Sequence, residues 1–376
     1  MSCLKKLILL IVVLVVIAGI FLYVSQAPRQ KSEVRIVALF PLTGGLAHYG
    51  DAAQKSAQIA VDEINSSGGI NGTKLVVDYQ DHQCSPQAAK SLFEQFYSVN
   101  GDRVFTSIAC SGTVLAIAPM LEEKKAVLFS TLVTTPAITG VSPFVFRNWG
   151  SDDAEARLFA EQIKLRGIKS VGVIYEETDY ARGLKISLEK YLADSNIVIV
   201  SESFVTGSSD VRSQLSKLSS VKTEALFISP QTITSGDIVL KQMTELNFNP
   251  KTIFVNDNIT KSSQLLSAYP ILEGAIGADF VVGQGEGYDV FMKKFSEKYG
   301  SKCPQENICA GVYDAIHLLA KSIAVSGTEQ SALANYLKNV DYIGISGKIR
   351  FDFNNDRKDA VYSLFVIKNG EAIKQN

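Results

Sequence analysis

From residue 34 onward the chain alternates short apolar runs with segments of helical period, and this rhythm limits the folds open to it more than any other feature. The runs "VRIVALF", "KLVVDY", "RVFTSIA", "AVLFS", "SVGVIYE", "NIVIVSESF", "EALFISP" and "TIFVND" are rich in Val and Ile and mostly lack polar alternation. Strands of that kind are buried on both faces, as in a parallel sheet covered by helices. The segments between them carry helix punctuation. Asp51 with Gln54 makes a capping-box-like start ahead of Ala53, Ala57, Ala60 and Ile64, which share one stripe, and "NSSGG" ends that helix. Ser85 reads as an N-cap with Pro86 in the first turn. Strand, turn, helix and strand again is the α/β class, with right-handed crossovers. A chain of 376 residues suits two lobes, because single cores stop growing near roughly 250 to 300 residues.

The rhythm fails at both ends. Residues 7 to 24, "LILLIVVLVVIAGIFLYV", carry no charge and follow Lys5 and Lys6. At a rise of about 1.5 Å per residue such a helix just crosses a hydrocarbon core of about 30 Å, and the positive-inside bias keeps Met1 cytoplasmic. An uncleaved anchor is therefore expected, with "SQAPRQKSE" as a short tether and everything beyond it outside the membrane. Cleavage as a signal peptide, giving a secreted chain, is the competing reading. Cys3 precedes the apolar run, which argues against a lipid anchor. At the other end, "GKIRFDFNNDRKDAVYSLFVIKNGEA" reads as two strands around a polar turn, a β-hairpin appended to the body. Asp352, Asn354 and Asp356 in that turn lack the glycine and the distant glutamate of a calcium loop.

Several function classes are set aside by the residues. With 37 Lys+Arg against 38 Asp+Glu and no long basic run, nucleic acid is not an expected partner. "GQGEGY", residues 283 to 288, follows a strand-like run but has G-x-G-x-G spacing and no acid placed for a ribose. No Walker A sequence and no G-x-S-x-G elbow occurs. His48, His82 and His317 fit no metal-ligand spacing. No enzyme, metal or cofactor is expected. Beyond Cys3, four cysteines remain. Cys84 and Cys110 each end a strand-like run and are either bridged or buried as thiols, and Cys303 and Cys309 either staple one loop or stay free.

What remains is a set of corners where strand hands over to helix. In "TSIACSGTVLAIAPM", residues 106 to 120, Ser111 stands where the first N–H groups of a helix are unpaired and the dipole favours negative charge. That corner suits a carboxylate. A second, "STLVTTPAIT", places Thr134 and Thr135 ahead of Pro136, which suits a first helical turn. If the strands before them are neighbours, both corners open onto one crevice. "YEETDYARGL" offers Tyr180, and "IFVNDN" ends a strand in Asp257, an acid able to face an ammonium. Together these groups describe the two charged ends of an amino acid.

These residues also occur in a familiar order. The opening "VALFPLTGGLAHYGDAAQKSAQIAVDEINSSGGINGTKLVVDYQDHQCSPQAA" resembles that of the leucine/isoleucine/valine-binding family of type I periplasmic binding proteins. The similarity continues through "CSGTVLAIAP", "TTPAIT", "DYARGL" and the closing segment, so it covers nearly all of residues 34 to 376. The resemblance implies two Rossmann-like lobes joined by three crossover strands and closing on a small ligand, as a Venus flytrap does. Lobe 1 would comprise residues 34–147 and 275–342, and lobe 2 residues 148–274 and 343–376, after an N-terminal segment of residues 1–33. Ser111 and Thr134 would hold the ligand carboxylate, and the backbone carbonyl of Leu132 and the Asp257 acid its ammonium. Tyr49, Tyr180 and a position near Thr232 would line the side-chain pocket, and Cys84 and Cys110 would form a family disulfide. The position near Thr232 is not aromatic, and Ile308 or Ala310 stands where a bulkier group often lies, so the ligand side chain stays open. The implied function is an extracytoplasmic receptor that binds a branched-chain or other small apolar amino acid and delivers it to an ABC permease and its ATPase. A sensor domain of a signalling system and a binder of amides or short carboxylates are the alternatives.

Overall fold

The computed structural model describes residues 33–375, and the N-terminal apolar segment lies outside them. Each of the eight apolar runs becomes a strand. The first body is a five-stranded parallel sheet, order β2-β1-β3-β4-β5, formed by β1 (Val34–Phe40), β2 (Leu75–Asp81), β3 (Val104–Ile108), β4 (Val127–Thr131) and β5 (Val145–Arg147). Every residue of β3, β4 and β5 is buried, as expected for strands covered on both faces. The edge strand β2 is buried only at Leu75, which explains the polar tail of "LVVDYQD".

The second body contains β6 (Ser170–Glu176), β7 (Val198–Phe204), β8 (Ala225–Ser229), β9 (Thr252–Val255) and β10 (Ile276–Val281), all parallel. The chain then returns to the first body with the helices Tyr288–Tyr299, Glu306–Ser326 and Gln330–Lys338, and a small hairpin of β11 (Tyr342–Gly344) and β12 (Gly347–Ile349) follows. Finally β13 (Val361–Lys368) and β14 (Glu371–Lys374) join the second sheet antiparallel, giving the order β14-β13-β10-β9-β8-β6-β7. The chain thus passes between the sheets three times: after β5, after β10 and before β13.

Four expectations are corrected here. β10 pairs with β9 and β13, so the boundary placed at residue 275 falls one strand too early. Ile345, Ile349 and Phe351 pack in the first core, so the boundary at 343 also falls too early. The tail hairpin does not join "GKIRF" to "VYSLF". Instead β12 pairs back onto β11, and β13 turns into β14 through Asn369 (φ 52) and Gly370 (φ 77). Both residues are left-handed, the geometry that Asn-Gly favours in a two-residue turn. The helix over Ala47–Ser66 starts a turn before Asp51, with Leu46 at its cap and no side-chain capping bond, because the loop after β1 delivers the chain already wound. Ser85 does cap its helix, accepting from the Ala88 N–H at 3.2 Å, with Pro86 in the first turn.

One buried side chain ties two of the crossings together. Arg147, at the end of β5, is fully buried. Its Nε and Nη2 donate to the two Asp356 carboxylate oxygens at 2.9 and 2.6 Å. Nη1 donates to the carbonyls of Val133, Thr134 and Thr135 at 3.3, 3.1 and 3.0 Å. A guanidinium is always charged and presents its donors in a rigid fork, so it suits this many acceptors at once. Replacing Arg147 by Met is expected to cost about 3 to 5 kcal/mol of folding stability, the usual result of leaving a buried ion-pair partner uncompensated. Urea denaturation of the two proteins measures it.

Candidate functional site

β3 and β4 lie side by side in register from Val104–Val127 to Ile108–Thr131, so the corners that follow them open together. After β3 the backbone is left-handed at Ala109 and Cys110, both φ 53, and the helix Ser111–Lys124 begins. After β4 it is left-handed at Leu132, φ 54. Non-glycine residues hold such conformations only where their surroundings over-determine them. Here the surroundings are specific. Cys110 is bonded to Cys84, the Ala109 N–H donates to the Thr131 carbonyl at 3.1 Å, and the Ser111 hydroxyl accepts from the Thr135 N–H at 3.3 Å. The turn at Pro136–Ile138 is a single 3-10 turn, so the second corner contributes side chains and loop backbone and no helix start of its own.

The opposite wall comes from the second sheet. Thr178 caps the helix Asp179–Leu192 and places Tyr180 in its first turn, buried. Asn256 caps the short helix Asp257–Thr260, and its side-chain amide donates to the Tyr180 hydroxyl at 2.9 Å and to the Pro230 carbonyl at 2.7 Å. The Tyr180 hydroxyl in turn donates to Asp257 Oδ1 at 2.5 Å. Lys261 reaches Asp257 Oδ2 at 3.1 Å and Asp279 at 2.7 Å. A carboxylate has about four lone-pair directions, so Asp257 retains room for another donor.

Between the walls lies a cavity of about 30 Å³, lined by Ser111, Thr134, Leu132, Tyr49, Tyr180 and Asp257 among others. Six of the seven expected ligand-site residues are therefore gathered around one space. Thr232 is not among them: it caps the helix Ile233–Glu245, its hydroxyl accepting from the Ser235 N–H at 3.0 Å, while its neighbour Gln231 lines the cavity. Ile308 and Ala310 are packed in the first core, away from it. Cys303 and Cys309 form a second disulfide. Sequence reasoning missed Gln231, Asn258 and Leu46 as lining residues, and Lys261 behind them. Only Lys261 carried a signal, standing four residues after Asp257 at helical spacing.

The lobes touch across this cleft. The Tyr49 hydroxyl donates to Asn258 Oδ1 at 3.1 Å, and the Thr135 hydroxyl donates to the Asp179 carbonyl at 3.1 Å. Gly183 faces the same junction. A Cβ there would lie 2.2 Å from the Thr135 hydroxyl oxygen, so the absence of a side chain is what lets the lobes meet.

Comparison with known proteins agrees with this fold. The family model for periplasmic binding protein matches residues 33–372. The Leu/Ile/Val-binding protein BraC3 of Rhizobium johnstonii is 25% identical over 356 residues, covering 92% of this chain and 95% of the relative. The leucine-, isoleucine-, valine-, threonine- and alanine-binding protein of Pseudomonas aeruginosa is 23% identical over 358 residues, covering 93% and 92%. Among solved structures, the leucine binding protein LivK of Thermotoga maritima superposes with a TM-score of 0.78 at 23% identity, over 91% of this chain and 98% of the other. The Streptococcus pneumoniae substrate binding protein LivJ in complex with isoleucine gives 0.73 at 21%, over 92% and 100%.

Behind the Asp257 wall sits an excess of buried acid. Burial first, and then the neighbouring Asp257 carboxylate, hold Asp152 and Glu155 well above the ordinary carboxyl range. Burial pushes Asp279 up to about 6 against the pull of Lys261. Neither Glu155 oxygen has a hydrogen-bond partner among the described residues. A carboxyl with a raised folded-state pKa keeps its proton after the unfolded chain has lost one, so its contribution falls as pH rises through that interval. Glu155→Gln removes this term. Relative to the parent, the variant is expected to gain stability between about pH 5 and about pH 8, read from urea denaturation at both values.

Proposed function

This chain belongs to the periplasmic binding protein family, and from that premise we propose that it is an extracytoplasmic receptor that captures an amino acid by lobe closure and delivers it to an ABC-type permease and its ATPase. In this reading residues 7 to 24 hold the receptor at the outer face of the cell membrane, and the relatives, named for binding amino acids that include leucine, valine and threonine, support an amino acid as the ligand class. The observation that carries the proposal is the opposition of charge across the cavity. On one side stand the Ser111 and Thr134 hydroxyls with the start of the Ser111–Lys124 helix, which suit a carboxylate. On the other stands Asp257, backed by Tyr180, which suits an ammonium.

The order of events follows from the covalent path. Arg147 and the Cys84–Cys110 disulfide hold the carboxylate corner rigid on the first lobe, so it binds first. Rotation about the three crossings then brings Tyr180 and Asp257 over the ammonium, and closure removes water from both charged ends. In a low-dielectric space the fixed dipoles and the acid act more strongly than they would in water. Binding in the open form alone forgoes the second wall.

Two expected outcomes test the scheme. Asp257→Ala should weaken binding of the cognate amino acid by about 2 kcal/mol or more, roughly thirty-fold, in a calorimetric titration, because the ammonium is buried unpaired. Unchanged affinity would show that the ammonium is held elsewhere. Gly183→Val should leave the unliganded melting temperature unchanged and lower affinity about ten-fold or more, because its side chain meets Thr135 only when the lobes close. Ligands are found by thermal shift of the full chain. One present at 100 times its dissociation constant adds about 2.7 kcal/mol. If only amides or carboxylates without an α-ammonium register, the amino-acid assignment fails.

A further inference from the structure

Within the amino-acid reading, on which this inference rests, we infer that the ligand side chain is short, uncharged and ends in a hydrogen-bonding group, a hydroxyl or a carboxamide, read by Gln231 and Asn258. Size sets the first limit. The cavity between the walls holds only about 30 Å³, far below the roughly 300 to 1,000 Å³ typical of ligand pockets, so even with some opening of the lobes only a short side chain is accommodated. The walls set the second. Asp257 is the one charged residue lining the cavity, and Leu46, Tyr49, Gln231 and Asn258 are among its neutral lining residues. An ionised side chain has no counter-charge among these neutral residues and would be buried at high cost.

The third limit is the state of the polar groups. The backbone N–H of Gln231 donates to Glu176 at 2.7 Å, which anchors the residue, yet its side-chain amide makes no hydrogen bond with any other described residue. Asn258 accepts from the Tyr49 hydroxyl at 3.1 Å and donates to the Pro230 carbonyl at 3.3 Å, which leaves one amide N–H uncommitted. Because Tyr49 spends its proton on Asn258, its oxygen offers only lone pairs to anything else. This part of the cavity thus presents both donors and acceptors without partners. An aliphatic side chain closing against them leaves them unpaired in a dry space, whereas a hydroxyl or carboxamide satisfies them. A site built to pair with a polar group discriminates strongly against the analogue that lacks it.

Threonine and valine have the same shape, as asparagine and leucine nearly do, so each pair isolates the polar group. Calorimetric titration of the purified full chain is expected to show threonine or asparagine binding about ten-fold or more tightly than its apolar counterpart. Gln231→Met is expected to narrow that ratio by about three-fold or more while folding normally, since the side chain it removes has no internal partner. Valine or leucine binding as tightly as its polar counterpart overturns the inference and leaves the amino-acid reading intact. A Gln231→Met variant that keeps the parent ratio also overturns the assignment. Failure of all four ligands to bind, with other compound classes binding, overturns the amino-acid reading itself.

Discussion

The fully buried guanidinium of Arg147 holds in one place what the chain supplies from three. It belongs to β5, it carries the carbonyls of Val133 to Thr135 from the loop after β4, and it pairs with Asp356 from the last crossing. Thr139 joins the same network, its hydroxyl accepting from Arg147 at 2.9 Å and donating to Asp356 at 2.6 Å. A loop whose carbonyls are occupied in this way cannot drift, and Thr134 is part of that loop. The Asp152 N–H adds a further bond to the Thr134 carbonyl at 2.9 Å, so the first helix of the second lobe starts from the same point. Crossing and corner are therefore one construction, held by the same guanidinium.

The cavity has a matching logic of charge. Its first-lobe wall is neutral and built from hydroxyls, left-handed backbone and a helix start. Its second-lobe wall is acidic, with Asp257 in front and Asp152, Glu155 and Asp279 behind, facing the largely covered ammonium of Lys261. Such a layout polarises the space between the two walls. The cost is borne by Asp152 and Glu155, which burial holds toward the protonated form. Contact of the lobes through Tyr49, Asn258, Thr135 and Asp179 finishes the enclosure with neutral hydrogen bonds.

Much of this was legible before any coordinates. The apolar runs became strands because their lack of polar alternation has only one comfortable setting, a sheet covered on both faces. Ser111, Thr134, Tyr180 and Asp257 were legible because each stands at the end of a strand, where an α/β fold exposes its loops. The misses share a cause. The sequence points only to a position near Thr232, because a threonine at a strand end reads equally as a cap or a ligand group, and the 3.0 Å bond from the Ser235 N–H shows that it is a cap while its neighbour Gln231 lines the cavity. The tail hairpin was joined wrongly because "GKIRF" and "VYSLF" are adjacent in sequence, while β12 and β13 belong to different bodies.

Local pattern by itself determined the α/β class, the strand inventory, the helix start at Ser85 and the corners from which a binding site would be made, since each depends on residues within one turn or one strand of one another. Only the tertiary structure decided that β10 belongs to the second sheet, that Arg147 meets Asp356 across 209 residues, and that Gln231 and Asn258 share a cavity with Ser111. Those are pairings between groups remote in sequence. Their energy comes from burial and from geometry realised only when both lobes are assembled, and no periodicity along the chain encodes that meeting.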